Sequence, residues 1–311
     1  MSVIDPIFLN TPLLRGTSLD RAVDAELICK VETLNPIRSF KGRGTELLVA
    51  KLRDERPLVC ASAGNFGQGL ARATARRGRT VTVFAAKRAN PLKVEAMRAL
   101  GAEVRLGGAD FDAAKEAARR FAASTDAFYV EDGAVPEIAE GAGTIALEIS
   151  ESGLMPEVMI VPLGNGALAT GIGTWCRHAE AGTHVIGVVA AGAPSMRLSF
   201  AARGPVATDK ADTIADGIAV REPVAYAVEC MRHTIDEVVT VSDTSIIRAM
   251  RLVHGHLGLV IEPAGVAGLA ALLEEPARWR GARVAIPLCG GNVTQKDARA
   301  WLLGHASPKS S

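Results

Sequence analysis

Short runs of β-branched and aliphatic residues recur along this chain, each followed by a longer stretch with helical spacing. Residues 25–31, 57–61, 80–85, 102–106, 127–130 and 158–161 read as strands, and 184–189, 237–241 and 283–288 complete the set. Between them the spacing predicts helices over 44–53, 66–77, 91–100, 111–123, 136–151 and 167–179. Strands that are apolar along their whole length are covered on both faces, and helices between them make the sheets parallel. The punctuation agrees. Gly78 and Gly101 close two helices, and Pro91 suits the first turn of one. The fold class is α/β.

At 311 residues the chain exceeds one typical core, so one large domain or two is expected. Its 35 basic residues are matched by 34 acidic ones, which leaves no electrostatic footprint for nucleic acid or an anionic membrane. No apolar run reaches the roughly 20 residues of a membrane helix. The first residues, Met1-Ser-Val-Ile-Asp-Pro6, lack the basic stretch and apolar core of a signal peptide, so a cytoplasmic protein is the expectation. The five cysteines are scattered and never paired as C-x-x-C, which argues against a disulfide framework and a structural zinc site. His254 and His256, two residues apart, would fall on different sides of a helix, so no metal is expected there.

Four segments carry candidate chemistry. Lys41 lies between Phe40 and Gly42, near the start of an expected helix. A solvated surface lysine is the bland reading. A partly desolvated amine, with Arg43 adding positive charge beside it, would instead be a nucleophile able to form a Schiff base with an aldehyde. Gly164, Asn165, Gly166, Ala167 and Leu168 follow a buried strand and open a helix, so their free N–H groups and the helix dipole favour a phosphate. The same stretch fits the G-x-G-x-x-A dinucleotide fingerprint. That reading needs a carboxylate about 20 positions on, and the next strand has none.

Ser62-Ala-Gly-Asn-Phe-Gly-Gln68 is a second small-residue loop between a strand and a helix. It is either a turn in which Ser62 or Asn65 caps the helix, or a ligand loop whose N–H groups receive a carboxylate. Cys289, in Cys289-Gly-Gly-Asn292, ends the last strand. It is either a small buried hydrophobe or a thiol facing a ligand at the carboxyl end of the sheet.

Taken in order, these segments resemble the pyridoxal-phosphate (PLP) enzymes of the threonine dehydratase and serine racemase family. Thr11-Pro-Leu13, Ser39-Phe-Lys-Gly-Arg-Gly44, Ser62-Ala-Gly-Asn65, Asp216-Gly-Ile-Ala-Val220 and Glu262-Pro-Ala-Gly265 each resemble a family motif, and together they span most of the chain. The resemblance implies two open parallel-sheet α/β domains with the cofactor in the cleft between them. Residues 1–56 and 136–311 would form the large domain and 57–135 the small one. Lys41 would carry pyridoxal 5′-phosphate as a Schiff base, beside Phe40, and Asn65 would contact its phenolic oxygen. Gly164, Asn165, Gly166, Ala167 and Leu168 would cup the phosphate, Gly217 would border the ring, and Cys289 would face the ring nitrogen. Ser62, Ala63, Gly64, Asn65 and Gln68 would hold the substrate, a small amino acid. A homodimer is the family's implication.

The resemblance implies a dehydratase (ammonia-lyase) for L-threonine or L-serine. Alternatives are a 3-hydroxyaspartate dehydratase, an amino-acid racemase, a β-replacement synthase and a PLP-binding protein without turnover. Family members that racemise carry a serine where this chain has Ala63, which disfavours racemisation. Phe66 replaces the usual histidine, and the phosphate cup reads Gly-Asn-Gly-Ala instead of four glycines. Val189 and Ser195 stand where cation-binding members carry carboxylates, so no metal is expected.

Overall fold

A computed structural model describes residues 3–303. The chain begins with β1 (Leu13–Leu14), α1 (Ser18–Val23), β2 (Glu26–Val31) and α2 (Lys41–Lys51). A run of alternating elements follows: β3 (Leu58–Ala61), α3 (Asn65–Ala75), β4 (Val81–Ala85), α4 (Pro91–Ala99), β5 (Glu103–Leu106), α5 (Phe111–Thr125) and β6 (Phe128–Val130). Then come α6 (Pro136–Glu151), β7 (Val158–Pro162), α7 (Ala167–His178), β8 (His184–Ala190), α8 (Ser195–Ala202), α9 (Ala225–Thr234) and β9 (Glu237–Val241). The last elements are α10 (Asp243–Leu257), α11 (Ala267–Glu274), β10 (Arg283–Leu288) and α12 (Gln295–Leu302).

The strands form two sheets. Six take the order β1-β2-β10-β7-β8-β9 and four take β5-β4-β3-β6. Every pairing is parallel except β1 with β2, a two-residue antiparallel edge in which Leu13 faces Lys30. That edge is too short to leave a period in the sequence. The smaller sheet uses only strands between Leu58 and Val130, whereas the larger one joins β2 from before this stretch to strands from after it.

The larger sheet is apolar on both faces because helices cover both. On β8, Ile186, Val188 and Ala190 pack into one cluster with residues of α10 and α11. Their alternates Val185 and Val189 enter another, with residues of α6 and α7. This is the strand period of two, read on both sides of a buried sheet. Burying a side chain such as Ile186 completely contributes about 1.5–3 kcal/mol.

The helix expected over 44–53 begins three residues earlier, at Lys41. Glycines at the start of this helix serve close packing. A Cβ on Gly42 would sit 2.2 Å from the Phe8 ring. Where α2 crosses α6, a Cβ on Gly141 would fall 2.5 Å from the Cα of Gly44, so the two backbones touch directly. The start of α2 is therefore fixed against α6.

Candidate active site

Lys41, the first residue of α2, receives its position from the end of the last strand. The Phe40 N–H donates to the Cys289 carbonyl at 3.0 Å, and Ser39 bridges to Gly290. Asn35 closes the preceding turn by accepting from the N–H groups of Ile37 and Ser39. The Lys41 side chain is only 16% exposed, so the surface reading does not hold. Its Nζ lies 4.9 Å from the centre of the Phe40 ring and 5.7 Å from that of Phe66. It donates to Oδ2 of Asp132 at 2.6 Å.

Arg43 does not add charge beside Lys41. It is fully buried and paired with Glu32 at 2.8 Å and Glu148 at 2.6 Å, while Lys30 reaches Glu148 at 2.6 Å. Two cations and two carboxylates balance one another. Burial opposes ionisation of Glu148, yet Arg43 and Lys30 together hold its carboxyl below the ordinary range. The network anchors the first turn of α2 to β2 and α6.

Lys41 opens onto a cavity that reaches solvent. Its walls include Phe40, Ser62, Ala63, Gly64, Asn65, the stretch from Gly164 through Leu168, Gly217 and Cys289. Helix α7 begins there without a side-chain cap, so its first N–H groups have no partner within the helix. Gly166 makes the entry at φ +92°, a conformation that glycine adopts without strain. The amide oxygen of Asn165 is buried there and also unpartnered among the described residues. Such a cradle fits a phosphate, and an amine near it fits an aldehyde on the same molecule. On this test the residues present suit pyridoxal phosphate.

The Ser62 loop forms the turn of the first sequence reading and lines the cavity. Ser62 Oγ accepts from the N–H groups of Gly64 at 2.9 Å and Gly67 at 2.8 Å, so this hydroxyl is committed to shaping the turn. Asn65 points across the cleft. Its Nδ2 donates to Glu262 Oε1 at 2.6 Å, and its Oδ1 accepts from Asn292 at 2.9 Å. The second amide hydrogen of Asn65 remains for a ligand. Gln68 is a correction: it is buried one turn into α3 and does not line the cavity.

Cys289 is 5% exposed and lines the cavity; its thiol lies 3.3 Å from the Pro287 carbonyl. Burial, with Glu262 and Glu32 nearby, pushes the thiol well above its ordinary range and keeps it neutral.

Sequence reasoning missed two charged residues in the cavity wall, Asp132 and Lys93. Asp132 follows β6 in an Asp-Gly turn, its one local signal in the sequence. Lys93 on α4 is 2% exposed and pairs with Asp216 at 2.8 Å and Glu262 at 3.3 Å, which joins the smaller sheet's helices to the larger sheet's loops. Burial works against its charge, but the Glu262 and Asp216 carboxylates win and raise its pKa. Burial also raises the Glu262 pKa. We read Asp216, in contact through both oxygens, as the anionic partner of Lys93.

Comparison with known proteins places this geometry. The chain matches the family model for pyridoxal-phosphate dependent enzymes over residues 4–290. It is 36% identical to an L-threonine ammonia-lyase of Thermotoga maritima over 286 residues, covering 91% of this chain and 71% of that one. A biosynthetic L-threonine dehydratase of Lactococcus lactis is 30% identical over 300 residues, covering 93% and 72%. Among solved structures, the processed form of threonine deaminase isoform 2 from Solanum lycopersicum superposes with a TM-score of 0.89 at 27% identity, covering 97% of this chain and 90% of that one. Maize serine racemase gives 0.88 at 27% identity, covering 98% and 94%. With an amine, a phosphate cradle and a neutral thiol around one cleft, and this match across nearly its whole length, the chain belongs to the pyridoxal-phosphate dependent enzymes.

Proposed function

We propose that the chain is an ammonia-lyase that converts L-threonine or L-serine to a 2-oxo acid and ammonia. The observation that carries this reading is the Lys41 amine, half-enclosed by Phe40 and Phe66, in the same cavity as the uncapped start of α7. Pyridoxal phosphate, when bound, supplies an aldehyde to hold an amine and a ring that withdraws electrons from the carbon beside that amine. The α7 backbone N–H groups hold the phosphate and set the depth of the ring. Lys41 Nζ would be the amine that holds the aldehyde and the base that takes the proton from the carbon beside the substrate amine. The second hydrogen of Asn65 Nδ2 would serve as donor to the phenolic oxygen. The N–H groups of Ala63 and Asn65, the two in the Ser62-Ala-Gly-Asn65 loop that the turn leaves uncommitted, would receive the substrate carboxylate. The neutral Cys289 thiol would face the ring nitrogen without placing a charge beside it.

In the same reading, residues 57–135 act as a small domain against 1–56 and 136–311. The confinement of β3, β4, β5 and β6 to one sheet supports this division. Lys41→Ala should lose both the yellow colour and 2-oxo acid release from L-threonine and L-serine. A variant that keeps both sinks the assignment.

The likeness to maize serine racemase favours a second reading, amino-acid racemisation. Ala63 in the cavity wall weighs against it, since a methyl group can neither give nor take a proton. Chiral analysis of serine recovered from a reaction separates the two readings, because a racemase would leave D-serine.

A further inference from the structure

We propose that Asp132 receives the ammonium group of the incoming amino acid, an inference that rests on the ammonia-lyase reading. Asp132 is the second residue of the turn Glu131-Asp-Gly-Ala134, closed by the Ala134 N–H donating to the Glu131 carbonyl at 3.1 Å. Gly133, in third place, has φ +90°, as a type II turn requires. A Cβ on Gly133 would lie 2.1 Å from the carbonyl oxygen of Asn165, so the turn is wedged against the phosphate cradle. Arg119 ties down Glu131 from outside at 2.7 Å. The carboxylate is thereby fixed relative to the cradle.

Asp132 is 9% exposed and lines the cavity. Its Oδ2 is held by Lys41 Nζ, while its buried Oδ1 has no partner among the described residues. Within 4.0 Å, Lys41 is its one basic partner among the described residues. When the Lys41 amine is engaged with the aldehyde, this buried carboxylate loses its counter-charge, a costly condition. An amino acid brings a replacement of the same chemistry, a primary ammonium.

It also brings that group to the same place. The substrate amine must displace the lysine amine at one carbon atom, so it passes within reach of whatever held Lys41 Nζ. The carboxylate of the zwitterion has its own seat in the Ser62 loop, so the two ends of the substrate are told apart by charge. Asp132 makes and breaks no bond in this role. It positions the amine.

The test uses the cofactor-loaded protein and two ligands, L-threonine and 3-hydroxybutyrate, the same skeleton without the amine. Binding of L-threonine is followed by the change in visible absorbance, and that of 3-hydroxybutyrate by competition. In Asp132→Asn the half-saturating concentration of L-threonine should rise by about ten- to a hundred-fold, the loss expected for one buried charge-assisted contact. The affinity for 3-hydroxybutyrate should not fall, and Asp132→Glu should recover part of the loss. If the asparagine variant does not hold the cofactor, Asp132→Ser, which removes the charge without adding bulk, is measured in the same way. Equal weakening of both ligands would mark a merely structural role and overturn the inference. A wild-type protein that ignores both L-threonine and L-serine overturns the ammonia-lyase reading and this inference with it. A responsive wild type beside an Asp132→Asn protein of unchanged half-saturation overturns this inference alone.

Discussion

Asn65 and Glu262 meet across the cleft, the amide nitrogen of one 2.6 Å from the carboxyl oxygen of the other. Burial disfavours the charged form of Glu262 and nearby Asp216 does so further, while Lys93 opposes them; the net shift is upward. A folded-state pKa above the unfolded one gives stability that is complete below about pH 4.3, the unfolded glutamate value, and declines as pH rises through the raised pKa. Glu262→Gln should abolish this decline. Urea unfolding of both proteins from about pH 4 to 8 checks it, and a stability difference that stays flat over the range would contradict a raised Glu262 pKa.

Arg43 answers two buried carboxylates at once. Arg43→Met leaves Glu32 and Glu148 facing only Lys30, and should destabilise the fold by about 3–5 kcal/mol. Arg43→Lys should recover only part of this, because an ammonium cannot reproduce the guanidinium fork. Denaturant midpoints of the three proteins measure the order. A near-neutral Arg43→Met would show that the network is not needed for stability.

The crossing of α2 and α6 has no room for a methyl group. Gly141→Ala should cost about 1–3 kcal/mol as the helices part. Because Lys41 opens α2, the same variant should also bind the cofactor more weakly, which titration of the visible absorbance would detect. A stable variant with unchanged cofactor affinity would show that the crossing does not set the position of Lys41.

Cys289 should resist alkylation in the native protein. Its thiol is buried and held neutral, whereas Cys230 is partly exposed. Iodoacetamide at pH 8 followed by peptide mass analysis should label Cys230 first. Labelling of Cys289 at a comparable rate would contradict the neutral, enclosed thiol.

Strands β3, β7, β8 and β10 were legible because they are buried on both faces and so write nearly unbroken apolar runs; β9 and β10 begin and end where the sequence puts them. Helices α8, α9, α10, α11 and α12 were not assigned from sequence. Of these, α8 and α9 are short and α11 is apolar nearly all round, so those three write no clear periodic stripe. In the cavity, loops joined to glycine-rich helix starts were visible because backbone geometry restricts their residues. Asp132 and Lys93 were not. A single charged side chain on a turn or helix looks like solvated surface until the fold turns it inward, and their partners Lys41, Asp216 and Glu262 lie far away along the chain.

The strand β10 lies between β2 and β7, yet it is the last strand of the chain. During synthesis the smaller sheet can pair its four strands as soon as they emerge. The six-stranded sheet must wait with a gap at its centre until residue 288 has left the ribosome. The loop before Lys41 waits as well, since Phe40 is held by Cys289 and Ser39 by Gly290. A nascent chain would therefore acquire its amine-bearing pocket only after β10 has emerged, and no fragment ending before that strand could capture the aldehyde in the right place.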